Sequence, residues 1–167
     1  MLKSLALLGI LSTTSVIDEP VALDLSFTDA LLQGDFSFDV RARYEDVSQE
    51  LPGQDKGAQA STLRSRVAYH TGQYNYLSAY LEMSSTLAVP DDDNYFSGSN
   101  TEFDDALIAD PESTEWTQHW LSFDAANTEL RYGRQFVNFD NGRFIGGDEM
   151  RQQRSTFSGV TLQNESL

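Results

Sequence analysis

The stretch Asp35-Phe-Ser-Phe-Asp-Val-Arg-Ala-Arg-Tyr-Glu45 alternates without a break. Phe36, Phe38, Val40, Ala42 and Tyr44 share one parity, and Asp35, Ser37, Asp39, Arg41, Arg43 and Glu45 share the other. A period of two is the repeat of a β-strand, whose side chains point to opposite faces in turn. Here one face carries arginines and carboxylates while the other ends in an aromatic ring, which suits a wall between lipid and a wet lumen. A strand of a soluble sandwich also alternates, so the remaining segments have to name the solvent on the apolar face.

Five further segments follow the same rule. In residues 60–70, Leu63, Val67 and Tyr69 oppose Thr62, Arg64, Arg66 and His70. Leu77, Ala79, Leu81 and Met83 then oppose Ser78, Tyr80, Glu82 and Ser84, and His119, Leu121 and Phe123 oppose Gln118, Trp120 and Ser122. Residues 129–137 set Leu130 and Tyr132 against Arg131, Gly133 and Gln135, and a last segment over 156–164 carries Val160 and Leu162 on its apolar side. Arg134 breaks the parity. Either Gly133 sits in a bulge that turns Arg134 inward, or Arg134 snorkels at an interface.

The connections are expected to run long, short, long, short, long. Pro52, Gly53 and Gly57 predict a loop over 48–59, and tight turns are expected at 71–75 and 124–128. An acidic excursion over 88–115 and a glycine-rich connection over 138–155 are the other long ones. Tyr44, Tyr69, Tyr74, Tyr76, Trp116, Phe123 and Phe136 fall near strand ends. Short turns on one side, long loops on the other and aromatic girdles together predict an all-β, antiparallel up-and-down transmembrane β-barrel. The competing reading is a secreted β-sandwich that binds carbohydrate through Trp116, Trp120 and nearby tyrosines.

Composition narrows the function. No apolar run reaches the roughly 18 residues of a membrane helix, and the formal net charge of -15 disfavours a nucleic-acid partner, which requires a basic face. The chain has no cysteine, which removes thiolate metal sites and cysteine nucleophiles and suits export. Lys3 followed by Leu5-Ala-Leu-Leu-Gly-Ile-Leu11 and small residues reads as a signal peptide over 1–22, with an ordinary N-terminal helix as the alternative. Residues 23–34 then form a linker, with room for one helical turn, and residues 35–167 form the barrel portion.

Several stretches, in this order and spacing, resemble the N-terminal part of the alginate-export family of porin-like outer-membrane proteins. They are Phe38-Asp-Val-Arg-Ala-Arg-Tyr-Glu45, Ala60-Ser-Thr-Leu-Arg-Ser-Arg66, Ala109-Asp-Pro-Glu112, Leu130-Arg-Tyr-Gly-Arg-Gln135 and Asn138-Phe-Asp-Asn-Gly-Arg-Phe-Ile-Gly-Gly147. The resemblance implies a passive pore in the bacterial outer membrane for anionic sugars, small anionic solutes or uronate oligomers, with no cofactor and no turnover. Members of that family continue to a full barrel, whereas about six strands lie below the roughly eight that a bacterial barrel needs to close, so the chain is read as a fragment.

Within that expectation Arg41, Arg43, Arg64, Arg66, Arg131 and Arg134 are the candidate pore-lining residues. Guanidinium groups stay charged and pair bidentately with carboxylates. They either present a cationic patch to an anionic solute or are neutralised by Asp39, Glu45 and Glu82 in the wall. Arg143, Arg151 and Arg154 lie in the third long connection, which by analogy with porins folds into the lumen as a constriction loop; the alternative is an ordinary exposed loop. The run Asp91-Asp-Asp-Asn94 lacks the ligand spacing of a calcium loop and reads as a solvated loop rather than a metal site. His70 and His119 are isolated, and no nucleophile elbow appears, so no enzyme is expected.

Overall fold

The computed structural model describes residues 9–11, 26–52, 54–89, 95–139, 142–143, 145–147 and 150–165. Its elements are β1 (Gly9–Leu11), α1 (Phe27–Leu32), β2 (Asp35–Leu51), β3 (Gln54–His70), β4 (Leu77–Ala88), β5 (Ser113–Ala125), β6 (Thr128–Gln135) and β7 (Phe157–Asn164). The strands pair antiparallel in chain order within a single sheet that curls into half a barrel. Strands β2 to β7 are the six alternating segments of the sequence.

β1 falls inside the range expected as a signal peptide. It lies along the outer edge of β2, with Gly9 opposite Ala42 and Leu11 opposite Val40. The rest of that expected signal lies outside the described residues. The expected helical turn of the linker is α1, capped by Ser26, whose hydroxyl accepts from the Asp29 amide at 3.2 Å.

The expected loop over 48–59 is corrected by the structure. β2 and β3 pair without interruption from Asp35 opposite His70 to Leu51 opposite Gln54, so the connection is only the pair 52–53. Pro52 lies in the turn, and Gly57 sits in the ladder, where a Cβ would have ordinary contact with Val47 O at 3.9 Å. The 17-residue strands therefore run about 55 Å, well beyond a hydrocarbon core of about 30 Å. The upper half of this hairpin projects past the sheet, because β4 begins to pair with β3 only at Thr62.

At the other end both turns are two residues long. Asn75 and Tyr76, and then Ala126 and Asn127, all have positive φ, as hairpin turns matched to the right-handed strand twist require. The hairpin tip, the acidic connection and the glycine-rich connection leave the sheet at one end, and α1 and the two tight turns lie at the other.

Burial is inverted relative to a water-soluble fold. Arg43, Glu45, Thr62, Arg64, Glu82, Ser84, Gln118 and Ser122 are buried on one face of the sheet. On the other face Phe36 is 68% exposed, Leu121 57% and Leu162 68%, with Phe38, Leu63, Leu81 and Tyr132 also open. Among the described residues no second sheet covers this apolar face. On β2 it runs from Phe36 to Tyr44 and then gives way to Asp46, Ser48 and Glu50, a band of about 26 Å. At the 35–45° tilt of barrel strands this is about 20 Å of height, comparable to the apolar band of about 25 Å on outer-membrane barrels.

Candidate functional site

The inner face is built by ladder register. Asp39 faces Arg66, Arg41 faces Arg64 and Arg43 faces Thr62 across β2 and β3, so four arginines from two strands occupy adjoining inward positions. Like charges directly opposed in a sheet repel. The long connections relieve this by laying acceptors across the arginines.

Residues 150–154, from the connection between β6 and β7, cross the inner face. Arg41 donates to the carbonyls of Met150 and Arg151 at 3.1 and 3.2 Å, and Arg64 donates to the carbonyl of Gln152 at 3.2 Å. Three successive backbone carbonyls thus sit on two opposed guanidiniums. Gln152 is fully buried, and its side-chain amide donates to Thr62 Oγ1 at 2.8 Å. Arg151 reaches Glu45 at 3.2 Å, and Arg154 holds both oxygens of Glu82 at 2.8 and 2.9 Å while stacking over Phe136 at 4.5 Å. Thr117 donates to the same Glu82 at 2.6 Å from a bulge in β5, where Thr117 and Gln118 both face Glu82.

The acidic connection also turns inward. Tyr95, Ala106 and Ile108 bury against Ala58, Ala60 and Val47 on the projecting hairpin, forming a small apolar core. This places Asp110, 1% exposed, beside Arg43 and lets it accept from the Gln152 amide at 2.8 Å. Arg43 is shared between Asp110 and Glu45. The two long connections therefore meet on one carboxylate. Asp110 was not among the expected site residues. It read as one acid among many in a solvated segment, and the Pro111 beside it was the signal that the chain is fixed there.

Nearer the short turns, the inner face changes character. Tyr80 stacks on Trp120 with ring centroids 5.0 Å apart, and the Arg131 guanidinium lies over the Trp120 ring at 4.0 Å from its centroid while chelating Glu129 Oε1. Such stacking on a guanidinium gains from cation–π attraction.

Of the six expected wall arginines, Arg41, Arg43, Arg64, Arg66 and Arg131 have inward register positions. Asp39 pairs with Arg64 at 2.6 Å, Glu45 with Arg43 and Arg151, and Glu82 with Arg154, so the neutralising wall network exists. Arg66 is the exception: it faces Asp39 in the ladder, yet among the described residues it makes no hydrogen bond or ion pair. Arg134 is corrected. The β5–β6 ladder carries no extra residue at Gly133, so Arg134 faces His119 with outward parity, and its guanidinium reaches Glu115 and Thr156. Gly133 holds the strands close instead, at φ 139° with a would-be Cβ 2.3 Å from His119 O.

Arg151 and Arg154 lie on the crossing segment, while Arg143 is exposed in the turn closed by the Phe139 amide on the Ile145 carbonyl. The run 91–94 lies outside the described residues. Among the described residues no group of His, Asp or Glu is placed to hold a metal. Trp116 and Trp120 face opposite sides of the sheet, 55% exposed outside and 9% inside, and so cannot form one carbohydrate platform.

A single curled sheet, apolar outside and charged inside, with its long connections folded onto the charged side, defines a segment of an outer-membrane-type β-barrel wall. The chain belongs to the alginate-export family, whose model, described as alginate export, matches residues 33–166. It is a family of outer-membrane β-barrels. No curated protein and no solved structure matches the chain.

Proposed function

We propose that this wall lines a passive outer-membrane pore for anionic polysaccharide, with uronate polymers such as alginate as the solute, and that it carries out no chemistry. The supporting observation is a local excess of guanidinium where residues 150–154 cross β2 and β3, in contrast to the short-turn end, where Asp35, Asp124 and Glu129 take inward positions beside Arg131. Arg41, Arg43, Arg64, Arg66, Arg151 and Arg154 converge at that crossing with Asp39, Glu45, Glu82 and Asp110, six cations against four anions, although the chain as a whole has a net charge of -15. Exposed acids elsewhere are screened over about 8 Å at physiological ionic strength, so the local field governs a solute inside the lumen.

The crossing segment narrows the path at its most cationic point. A uronate carboxylate arriving there competes for guanidinium donors now held by backbone carbonyls, which are weaker acceptors than a carboxylate. The outward apolar band meets lipid, with Tyr69, Tyr74, Tyr76 and Phe123 forming its girdle at the short-turn end. Planar-bilayer recordings of the protein test this reading. Uronate oligomers should block the current more strongly than neutral oligomers of equal length, and Arg151→Ala with Arg154→Ala should weaken that block. Equal block by charged and neutral sugars would overturn the assignment of the solute.

A further inference from the structure

We propose that α1 and the outer face of the sheet together form a binding groove for a phospholipid acyl chain in the leaflet at the short-turn end. The proposal rests on the reading of the apolar face as lipid-facing, and adds a defined site to it. The groove has a volume of about 190 Å³, with Leu77, Ala79 and Leu121 as its floor and Phe27, Ala30 and Leu31 as its wall.

The floor residues belong to the apolar band, so the groove is continuous with the surface that lipid covers. Its level is set by aromatic rings. Phe27 packs edge-to-face on Tyr74 at 5.7 Å, and Tyr76 lies 5.9 Å from Phe123, the composition that barrel walls place at a membrane–water boundary.

The helix is held rigidly enough to keep the groove open. The Gly72 amide donates to the Ala30 carbonyl at 2.8 Å, the Tyr69 hydroxyl donates to the Leu31 carbonyl at 2.5 Å, and the Gly34 amide donates to that hydroxyl at 3.1 Å. Gly34 is required for the last contact, since a Cβ there would lie 2.4 Å from the Tyr69 oxygen. The C-terminal carbonyls of α1 are thus satisfied against the sheet, while Phe27, Leu31 and Leu32 remain 60%, 45% and 77% exposed beside the apolar band. Thr28, Asp29 and Ser26 supply the polar side of this short interfacial element. An acyl chain lying along Leu121 and Leu77 would enter between the helix and the sheet and cover the exposed apolar atoms of both.

The test uses the whole protein in phosphatidylethanolamine and phosphatidylglycerol vesicles doped with a phosphatidylcholine that carries a photoreactive diazirine in its acyl chain near the glycerol. After irradiation, adducts are located by peptide mass spectrometry. Adducts are expected on the 27–32 peptide as well as on outward residues of the central sheet such as Phe38 and Leu81. Ala79→Phe, which fills the floor of the groove, should abolish the adducts on 27–32 and leave those on Phe38 unchanged. Adducts on the central sheet with none on 27–32 would overturn the groove, and would mean that another segment of the chain covers it. Equal labelling of 27–32 with and without Ala79→Phe would also overturn it. Absence of adducts from the whole apolar face would instead overturn the lipid-facing reading on which the groove depends.

Discussion

Asp110, in the connection between β4 and β5, forms a salt bridge with Arg43 on β2, and the two side chains are only 1% and 7% exposed. Removing one partner of a buried pair leaves the other charge uncompensated, which costs about 3–5 kcal/mol. Arg43 keeps Glu45 as a partner, so Asp110→Ala should cost less than that in urea unfolding, about 1–3 kcal/mol for the buried Gln152 amide left without its acceptor. Asp110→Asn keeps an acceptor for the Gln152 amide and should cost less. Equal losses for the two variants would show that the acceptor for the Gln152 amide adds nothing and that the charge pairing alone holds the connection inward.

Glu82 and Arg154 are joined by two hydrogen bonds of 2.8 and 2.9 Å, and they tie the crossing segment to β4. Glu82→Gln and Arg154→Ala should each raise single-channel conductance, and the double variant should add little to either. In stability measurements the pair should show a coupling of about 0.5–3 kcal/mol, the range for residues in direct contact. Additive conductance changes would separate the two residues functionally.

Among the described residues Arg66 has no carboxylate at contact distance, unlike the neighbouring Arg43 and Arg64. An unpaired guanidinium contributes more to the lumen field than one neutralised at contact distance. Arg66→Ser should consequently shift the reversal potential under a salt gradient further toward cation preference than Arg43→Ser does. Changing Arg41, Arg43, Arg64 and Arg66 together to Ser should shift it furthest. A reversal potential unmoved by the fourfold change would place the selectivity elsewhere in the pore.

Gly133 and Gly159 face each other across β6 and β7, yet their substitution should differ sharply. At Gly133 an alanine meets both a φ of 139° and the backbone of β5, and the backbone strain alone is worth about 1–3 kcal/mol. At Gly159 nothing lies within 4 Å of the added carbon. Gly133→Ala should lower the urea midpoint or prevent folding, while Gly159→Ala should remain within about 0.5 kcal/mol of the parent.

What the sequence by itself determined is the wall. A period of two maintained over six segments assigns each residue to a face, because a pleated strand has no other choice, and Phe36, Leu81 and Leu121 were assigned outward on that rule alone. Local chemistry also marked both tight turns. It misjudged residues 48–59, because Pro52 and Gly53 signal a break without giving its length; only the unbroken pairing of Val47 with Ala58 shows that the strands continue. Arg134 was ambiguous for a related reason, since parity near a glycine depends on whether the partner strand gains a residue, and the bulge lies at Thr117 on β5 instead. The tertiary structure alone decided the pairing of charges. Arg43 and Asp110 are 67 residues apart, and Gln152 meets Thr62 across 90. Such contacts follow from how two long connections fold back over the sheet, a path set by the apolar seat that Ala58 and Ala60 offer Ile108 and by the carbonyl acceptors that Arg41 and Arg64 demand. Alternation records which face a residue occupies, but it carries no information about which distant carboxylate will arrive there.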